Sequence, residues 1–154
     1  MNDNDLRIMQ LHGAGYCCAQ IILILCLDHM DRENPDLVRA AQGLCLGFGD
    51  CSGPCGIMSG GICALGIYAG KGTDTEQADD KLPLLIESFR DWFQSRTETE
   101  FGGNSCEQIL GEKSTMPNPQ RCGGLLTEAY EQIVSILLEN GFDPSEGRDC
   151  ADEY

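Results

Sequence analysis

Cysteine is the residue type in this sequence most clearly suited to chemistry, because ten cysteines occur among 154 residues. Four of them stand where the sequence predicts the start of a helix: Cys18, Cys55, Cys106 and Cys122. A helix N-terminus carries partial positive charge and free backbone N–H groups, which favour the thiolate that binds metals and attacks disulfides. This placement predicts a redox or metal-binding site made by the four cysteines.

Two more cysteines are candidate additional members of that site. Cys17 forms a vicinal pair with Cys18, and Cys51 forms a C-x3-C pair with Cys55. Both are close enough in sequence to reach the same place in the fold.

The remaining cysteines are interpreted differently. Cys26, Cys45 and Cys63 fall in predicted helices among apolar residues, where cysteine acts as a small hydrophobic side chain. Cys150 lies in the C-terminal tail and is expected to be a bystander.

Glycine surrounds the second cysteine of the set. The stretch from Gly47 to Gly72 reads GFGDCSGPCGIMSGGICALGIYAGKG, and its first part predicts a loop with positive φ values. A helical pattern follows directly after Cys55. Each glycine inside that helix costs about 1 kcal/mol relative to alanine. We therefore expect neighbouring helices to approach this helix closely around the cysteine site.

The elements that must position these residues are all predicted to be helices, because no segment alternates with period two. The sequence predicts an all-α fold, a single compact bundle of about six or seven helices. They are expected over about 5–12, from Cys17 or Cys18 to Met30, from Pro35 to Leu44, from Cys55 to Gly70, from Pro83 to Arg96 or Phe101, in a short turn after Cys106, and from Cys122 to Asn140.

Local signals mark several boundaries. Asn34 is an expected N-cap, Pro83 an expected first-turn residue and Gly141 an expected C-cap. Thr73–Glu76 has the form of a capping box, and Lys113–Gln120 is predicted to be a loop.

The chain is expected to form one domain over 1–154. Its core is placed at about 5–141, with an acidic tail over 142–154 that is frayed from Pro144 onward.

The charge balance restricts the partners. Twenty-five Asp and Glu against ten Lys and Arg give a formal charge of -15, which disfavours nucleic acid and anionic membranes. A redox partner protein with a basic face is the expected partner, and a homo-oligomer is left open.

The location is an expectation too. The first residues, MNDNDLRIMQ, show no secretion signal, and the apolar run Ala19–Leu27 is far shorter than the roughly 20 residues of a membrane span. We expect a cytoplasmic protein, in which cysteines serve as ligands, redox thiols or core residues and not as a disulfide framework.

Four segments carry a family resemblance. They are CAQIIL at Cys18, CGIMSG at Cys55 followed by ALG at Ala64, SCEQILG around Cys106, and Cys122 leading into a C-terminal helix. In this order, over roughly residues 15–140, the chain resembles the four-cysteine C_GCAxxG_C_C family of redox-active proteins. The resemblance implies a helical domain whose four cysteines correspond to these positions, and it implies no substrate.

The chain also departs from the family pattern. Ile57 stands where alanine is usual in the Cys-Gly-Ala-x-x-Gly core, and Cys17 and Cys51 are additions. A related helical domain occurs in split-Soret cytochromes, which carry an iron–sulfur centre besides haem. This chain has no C-x-x-C-H, so haem attachment is not implied.

The leading hypothesis is an iron–sulfur or other thiolate-bound metal centre for electron transfer, because four thiolates suit an all-cysteine site. The alternative is a metal-free thiol–disulfide protein, in which Cys18 or Cys17 pairs with Cys55 or Cys51. A third interpretation is a helical interaction module whose cysteines only pack. The sequence contains no motif for catalysis on a substrate, so no enzymatic reaction is predicted.

Overall fold

The computed structural model describes residues 2–111 and 119–148, with the side chains of 119–121 left aside. In these ranges the chain forms helices and no strand, which confirms the all-α fold. The helices are α1 (Asp3–Gly13), α2 (Cys18–His29), α3 (Pro35–Ala41), α4 (Cys45–Phe48), α5 (Gly56–Ala69), α6 (Leu82–Phe101), α7 (Cys106–Leu110) and α8 (Pro119–Glu139). Helix α4 is only one distorted turn. The number of remaining helices, seven, agrees with the expected six or seven.

Helix α2 is the centre of the core. It packs mainly against α5, and α5 in turn packs against α6 and α8. Ile21, Ile22 and Leu23 are fully buried although they are consecutive and point in different directions. A helix that is apolar nearly all round has to be surrounded, as the sequence predicts.

Two glycines allow the close packing of α5. A Cβ atom at Gly60 would lie 2.7 Å from the carbonyl oxygen of Ala19 in α2, and one at Gly61 would lie 2.6 Å from the ring of Phe89 in α6. Real Cβ atoms do not approach other atoms so closely, so alanine would force the helices apart. The expected close approach is confirmed.

The local signals at three helix ends are confirmed. The backbone N–H of Leu37 donates to Asn34 Oδ1 at 3.1 Å, so Asn34 caps α3. Pro83 lies in the first turn of α6. Gly141 follows the end of α8 with a φ of 84°, a conformation that favours glycine.

The capping-box pattern at Thr73–Glu76 forms in part but is followed by no helix. Glu76 accepts from the backbone N–H of Thr73 at 3.0 Å, as in a capping box, and also forms an ion pair with Arg148. The next helix, α6, starts at Leu82, close to the predicted start at Pro83.

The last helix begins earlier than predicted. It starts at Pro119, a residue that fits a first turn because its missing N–H is not needed there. Cys122 is therefore the fourth residue of α8 and not its first. Residues 119 and 120, at the end of the predicted Lys113–Gln120 loop, thus belong to α8. Residues 113–118 of that loop lie outside the described residues.

The expected fraying of the tail is wrong as far as Arg148. Tyr68 donates to the carbonyl oxygen of Pro144 at 2.8 Å, Arg32 donates to that of Arg148 at 2.9 Å, and Arg148 donates to that of Gly70 at 3.2 Å. Buried or half-buried donors thus hold this segment against α5 and against the residues that follow α2 and α5. Residues 149–154 lie outside the described part of the chain.

Among the helices described, none is both long enough and apolar enough to cross a membrane.

Candidate redox site

The four cysteines singled out in the sequence meet at one small cavity. Its volume is about 20 Å³, close to the space that one water molecule needs. It lies where α2, the start of α5, α7 and α8 come together. Its lining residues are Cys17, Cys18, Leu46, Cys55, Gly56, Cys106, Ile109, Leu110 and Cys122.

The thiols at this cavity contact one another in pairs. The Cys18 thiol lies next to that of Cys122, and the Cys51 thiol lies next to that of Cys106. Cys51 is buried with Cys106 and Cys122 in the same small cluster, although it does not line the cavity. The structure therefore brings together all four predicted cysteines and both additional candidates, Cys17 in the cavity lining and Cys51 in the adjoining cluster.

Cys55 is held at the start of α5. It is the N-cap residue of this helix, and its side chain makes no capping hydrogen bond. The nearby backbone N–H groups of Ile57 and Met58 act to lower the pKa of its thiol. Its own N–H donates to the carbonyl oxygen of Asn104 at 2.8 Å. Cys55 therefore lies at the start of α5, where the sequence predicts it.

The loop before Cys55 has an unusual backbone. Leu46, Phe48 and Cys51 have φ values of 54°, 64° and 66°, in the left-handed region, as do the intervening Gly47 and Gly49. The left-handed conformation costs about 1–2 kcal/mol for each residue other than glycine. Other contacts must therefore hold this loop in place.

Those contacts connect the loop to the start of α7. The N–H of Cys106 donates to the carbonyl oxygen of Gly53, and the N–H of Glu107 donates to that of Cys51, each at 3.0 Å. A Cβ atom at Gly47 would lie 2.9 Å from the Cβ of Cys106, so glycine is required at that crossing. The loop and the first turn of α7 thus form one unit that carries three of the cysteines.

Burial opposes ionisation of these thiols. It raises the pKa of Cys55 to about 12, although the N–H groups of Ile57 and Met58 partly oppose this. It also raises the pKa of Cys106 to about 12, and the neighbouring Cys51 thiol adds to the effect. The neighbouring Cys122 thiol and burial together raise the pKa of Cys18 well above its ordinary value. The helix ends alone therefore do not keep these thiols ionised, contrary to the expectation from the sequence. A positive charge at the site would be needed to stabilise the thiolates.

The donor set is composed of sulfur. Four thiols on separate elements are the ligand type that iron–sulfur clusters use. In the described ranges, no group of three or more Cys, His, Asp or Glu side chains is arranged to hold a metal ion. The cysteines therefore fit a thiolate-bound centre by their chemistry and by their shared cavity. Their side chains would have to change position to bind one metal centre together.

A family model described as "Putative redox-active protein (C_GCAxxG_C_C)" matches residues 16–136, which include all four cysteines of the cavity. The chain belongs to this family. The redox-active character predicted from the sequence is thereby supported. No curated protein and no solved structure matches the chain significantly.

This C_GCAxxG_C_C protein also contains a disulfide, between Cys17 and Cys45, whose Cα atoms are 6.1 Å apart. The predicted pairing of Cys17 with Cys55 or Cys51 is therefore wrong. Cys45 is buried as predicted, but as a disulfide partner and not simply as core. A 3-10 turn over Gln42–Leu44 precedes Cys45 in the chain, and no sequence motif signals this long-range pairing.

The other cysteines of the C_GCAxxG_C_C domain lie away from the cavity. Cys26 is buried in the core of α2, as predicted. Cys63 is exposed on α5, so its assignment to the core is wrong. Apolar residues occur nearly all round α5, so the sequence pattern does not show which side of this helix faces solvent. Cys150 lies outside the described residues.

Proposed function

We propose that Cys18, Cys55, Cys106 and Cys122 hold an iron–sulfur or other thiolate-bound metal centre through which this protein transfers electrons. The observation that carries the proposal is convergence. Four cysteines spread over most of the chain, on four separate elements, line a single cavity. Packing alone does not require cysteine at all four positions.

The surroundings of the cavity suit such a centre. Leu46, Ile109 and Leu110 form apolar walls, which limit access of water. The N–H groups near Cys55 and the Cys51 side chain next to Cys106 are polar partners for ligand sulfurs. Partners of this kind orient ligands and tune their potential. A bound centre would supply one-electron transfer, and these residues would position it and set its environment.

Charge supports the same proposal. Several buried thiols cannot all ionise next to each other, but a metal centre compensates thiolates directly. The formal charge of -15 favours a partner with a basic face. We therefore infer that electron exchange with this partner slows as ionic strength rises.

The test is purification without oxygen, followed by an absorption spectrum and iron, zinc and acid-labile sulfide analysis. We expect a coloured protein with near-stoichiometric iron and sulfide. Cys106→Ser should lose at least most of this iron. Cys63→Ser is the matched control, because Cys63 is exposed and remote from the cavity lining.

Two outcomes contradict the proposal. Stoichiometric zinc without sulfide indicates a metal without one-electron chemistry. A metal-free, colourless protein excludes the centre and shifts attention to thiol–disulfide chemistry.

A specific observation favours that second candidate, namely the two contacting thiol pairs, Cys18 with Cys122 and Cys51 with Cys106. Either pair could become a disulfide by giving two electrons and two protons to a partner disulfide, which would become a dithiol. Mild oxidation of metal-free protein would then remove two free thiols, and peptide mapping would identify one of these pairs.

A further inference from the structure

We propose that the Cys17–Cys45 disulfide keeps the cavity of the four cysteines closed, and that its reduction by a dithiol opens this cavity to a metal ion. Metal entry rests on the proposed metal centre. Closure of the cavity, in contrast, is a property of the metal-free protein and is measured separately.

The disulfide joins two parts of the cavity wall. Cys17 lines the cavity and directly precedes Cys18, the first residue of α2, which lines it too. Cys45 directly precedes Leu46, which is the part of the distorted turn α4 in the lining. The bond therefore ties the start of α2 covalently to the loop segment that supplies Leu46.

This loop segment needs restraint to keep its shape. Leu46 has a φ of 54°, which is unfavourable for leucine. Such a conformation persists only where surrounding contacts impose it. On one side the loop is hydrogen bonded to α7, through the Cys106 N–H and the carbonyl oxygen of Gly53. Reduction of the disulfide leaves that contact in place but removes the covalent attachment to α2, so the loop and α7 can move away from α2 together.

The size of the cavity shows why such a movement is needed. Its volume of about 20 Å³ is close to the space of one water molecule. A [2Fe–2S] cluster contains four inorganic atoms and does not fit there. In the described ranges the thiols are also not arranged to hold a single metal ion. The walls must therefore separate before the four cysteines can take up a metal centre.

The reduction balances with the dithiol alone. One of its thiolates attacks Cys17 Sγ, because Cys17 is half-buried whereas Cys45 is buried. A new S–S bond forms, the Cys17–Cys45 bond breaks, and Cys45 leaves as a thiolate that takes up a proton. The second thiol of the dithiol loses its proton and attacks the dithiol sulfur of the mixed disulfide, which releases Cys17. The dithiol becomes a disulfide, and Cys17 and Cys45 become thiols.

The first experiment measures closure in the full, metal-free chain. Oxidised protein and protein reduced with dithiothreitol are treated with iodoacetamide under native conditions without oxygen, and the alkylated cysteines are mapped by mass spectrometry. We expect Cys55 and Cys106 to react at least about tenfold faster in the reduced form, as local opening exposes them. Cys63 is exposed and should react equally in both forms. Equal rates at Cys55 and Cys106 overturn the proposal. A parallel increase at Cys26 also overturns it, because this core residue reports unfolding of the whole chain.

A variant without the disulfide gives a second test of closure. The double substitution Cys17→Ser, Cys45→Ser keeps the four cavity cysteines. It should react at the fast rate of reduced wild type without any dithiol, and its circular dichroism spectrum should match that of wild type. A folded variant that reacts as slowly as oxidised wild type contradicts the proposal. The comparison between the two wild-type forms does not depend on the folding of this variant.

The last experiment measures metal entry with Co²⁺ as the probe, without oxygen and without added thiol. Thiolate ligands give bound Co²⁺ a charge-transfer absorption band. Reduced wild type and the double variant should develop this band at least about tenfold faster than oxidised wild type. Equal rates in all three forms overturn the role of the disulfide in metal entry but leave the metal centre. If no form binds cobalt, the metal centre and metal entry are both contradicted, and the alkylation rates still decide whether the disulfide closes the cavity.

Discussion

Glycine and cysteine are used differently in the helical core and at the redox site. In the core, Gly60 lies in a regular helix and its missing Cβ lets α2 approach, while Cys26 fills space. At the site, Gly47 has a positive φ in a loop, and Cys55 faces other cysteines around a cavity. Residue type alone therefore does not assign a role, because the backbone around each residue decides it.

The two regions also differ in their contribution to stability. The core buries large apolar side chains in regular helices, which stabilises the fold. The site contains three non-glycine residues with left-handed φ, which destabilise it locally: Leu46, Phe48 and Cys51. Substitutions in the core should therefore lower the free energy of unfolding, whereas substitutions in the loop can raise it by relieving backbone strain.

The largest expected effect concerns the core cysteine at alkaline pH. Burial raises the pKa of Cys26 from 9.0 to about 12. Because the folded value is the higher one, this stability is present below pH 9 and is lost as pH rises toward 12. The loss is about 1.4 kcal/mol per pH unit.

Urea unfolding of metal-free protein at several pH values from 8 to 11, without oxygen, measures this effect. The stability of wild type should fall more steeply than that of Cys26→Ala. Parallel profiles would contradict the assignment. Cys55 and Cys106 should cause a similar loss of stability at alkaline pH in metal-free protein. A bound metal centre should remove their loss but leave that of Cys26, which separates the redox site from the core.

A smaller effect compares two glycines of one helix. Gly60→Ala should destabilise the protein by about 1–3 kcal/mol, because its Cβ would overlap the backbone of Ala19. Gly66→Ala should stabilise it by up to about 1 kcal/mol, because nothing lies within 4 Å of a Cβ there. Chemical denaturation of both variants checks the prediction, and equal signs would disprove the packing role of Gly60.

The smallest effect tests the loop. Phe48→Gly should stabilise the fold by up to about 1 kcal/mol, since it relieves a left-handed conformation of a side chain that is 57% exposed. Met9→Gly is the matched control, because Met9 is 61% exposed but lies within α1. That change should destabilise by about 1 kcal/mol. Thermal unfolding would refute the idea if both variants lost stability equally.

Local signals predicted much of the fold. Asn34, Pro83 and Gly141 mark helix ends through their own side chains or backbone preferences, so the sequence was sufficient to place them. Thr73–Glu76 forms the Glu76 to Thr73 contact of a capping box, but Glu76 also pairs with Arg148 and no helix follows. A capping pattern alone therefore does not determine that a helix begins there.

The candidate site shows the same limit. The set of four cysteines could be selected from helix starts and from family resemblance, although Cys122 turned out to lie inside α8. The Cys17–Cys45 disulfide could not be found, because it joins segments 28 residues apart without a motif. The positive φ of Leu46 was also hidden, since no side-chain pattern signals this loop conformation at a leucine.

The wide spacing of the four cavity cysteines has a consequence for biosynthesis. Cys18 emerges from the ribosome early, whereas Cys122 lies in the last helix. A nascent chain that ends before α8 therefore presents only part of the ligand set. Any centre that requires all four cysteines can therefore be completed only after Cys122 has been translated, when the residues of α1 to α7 have already been made.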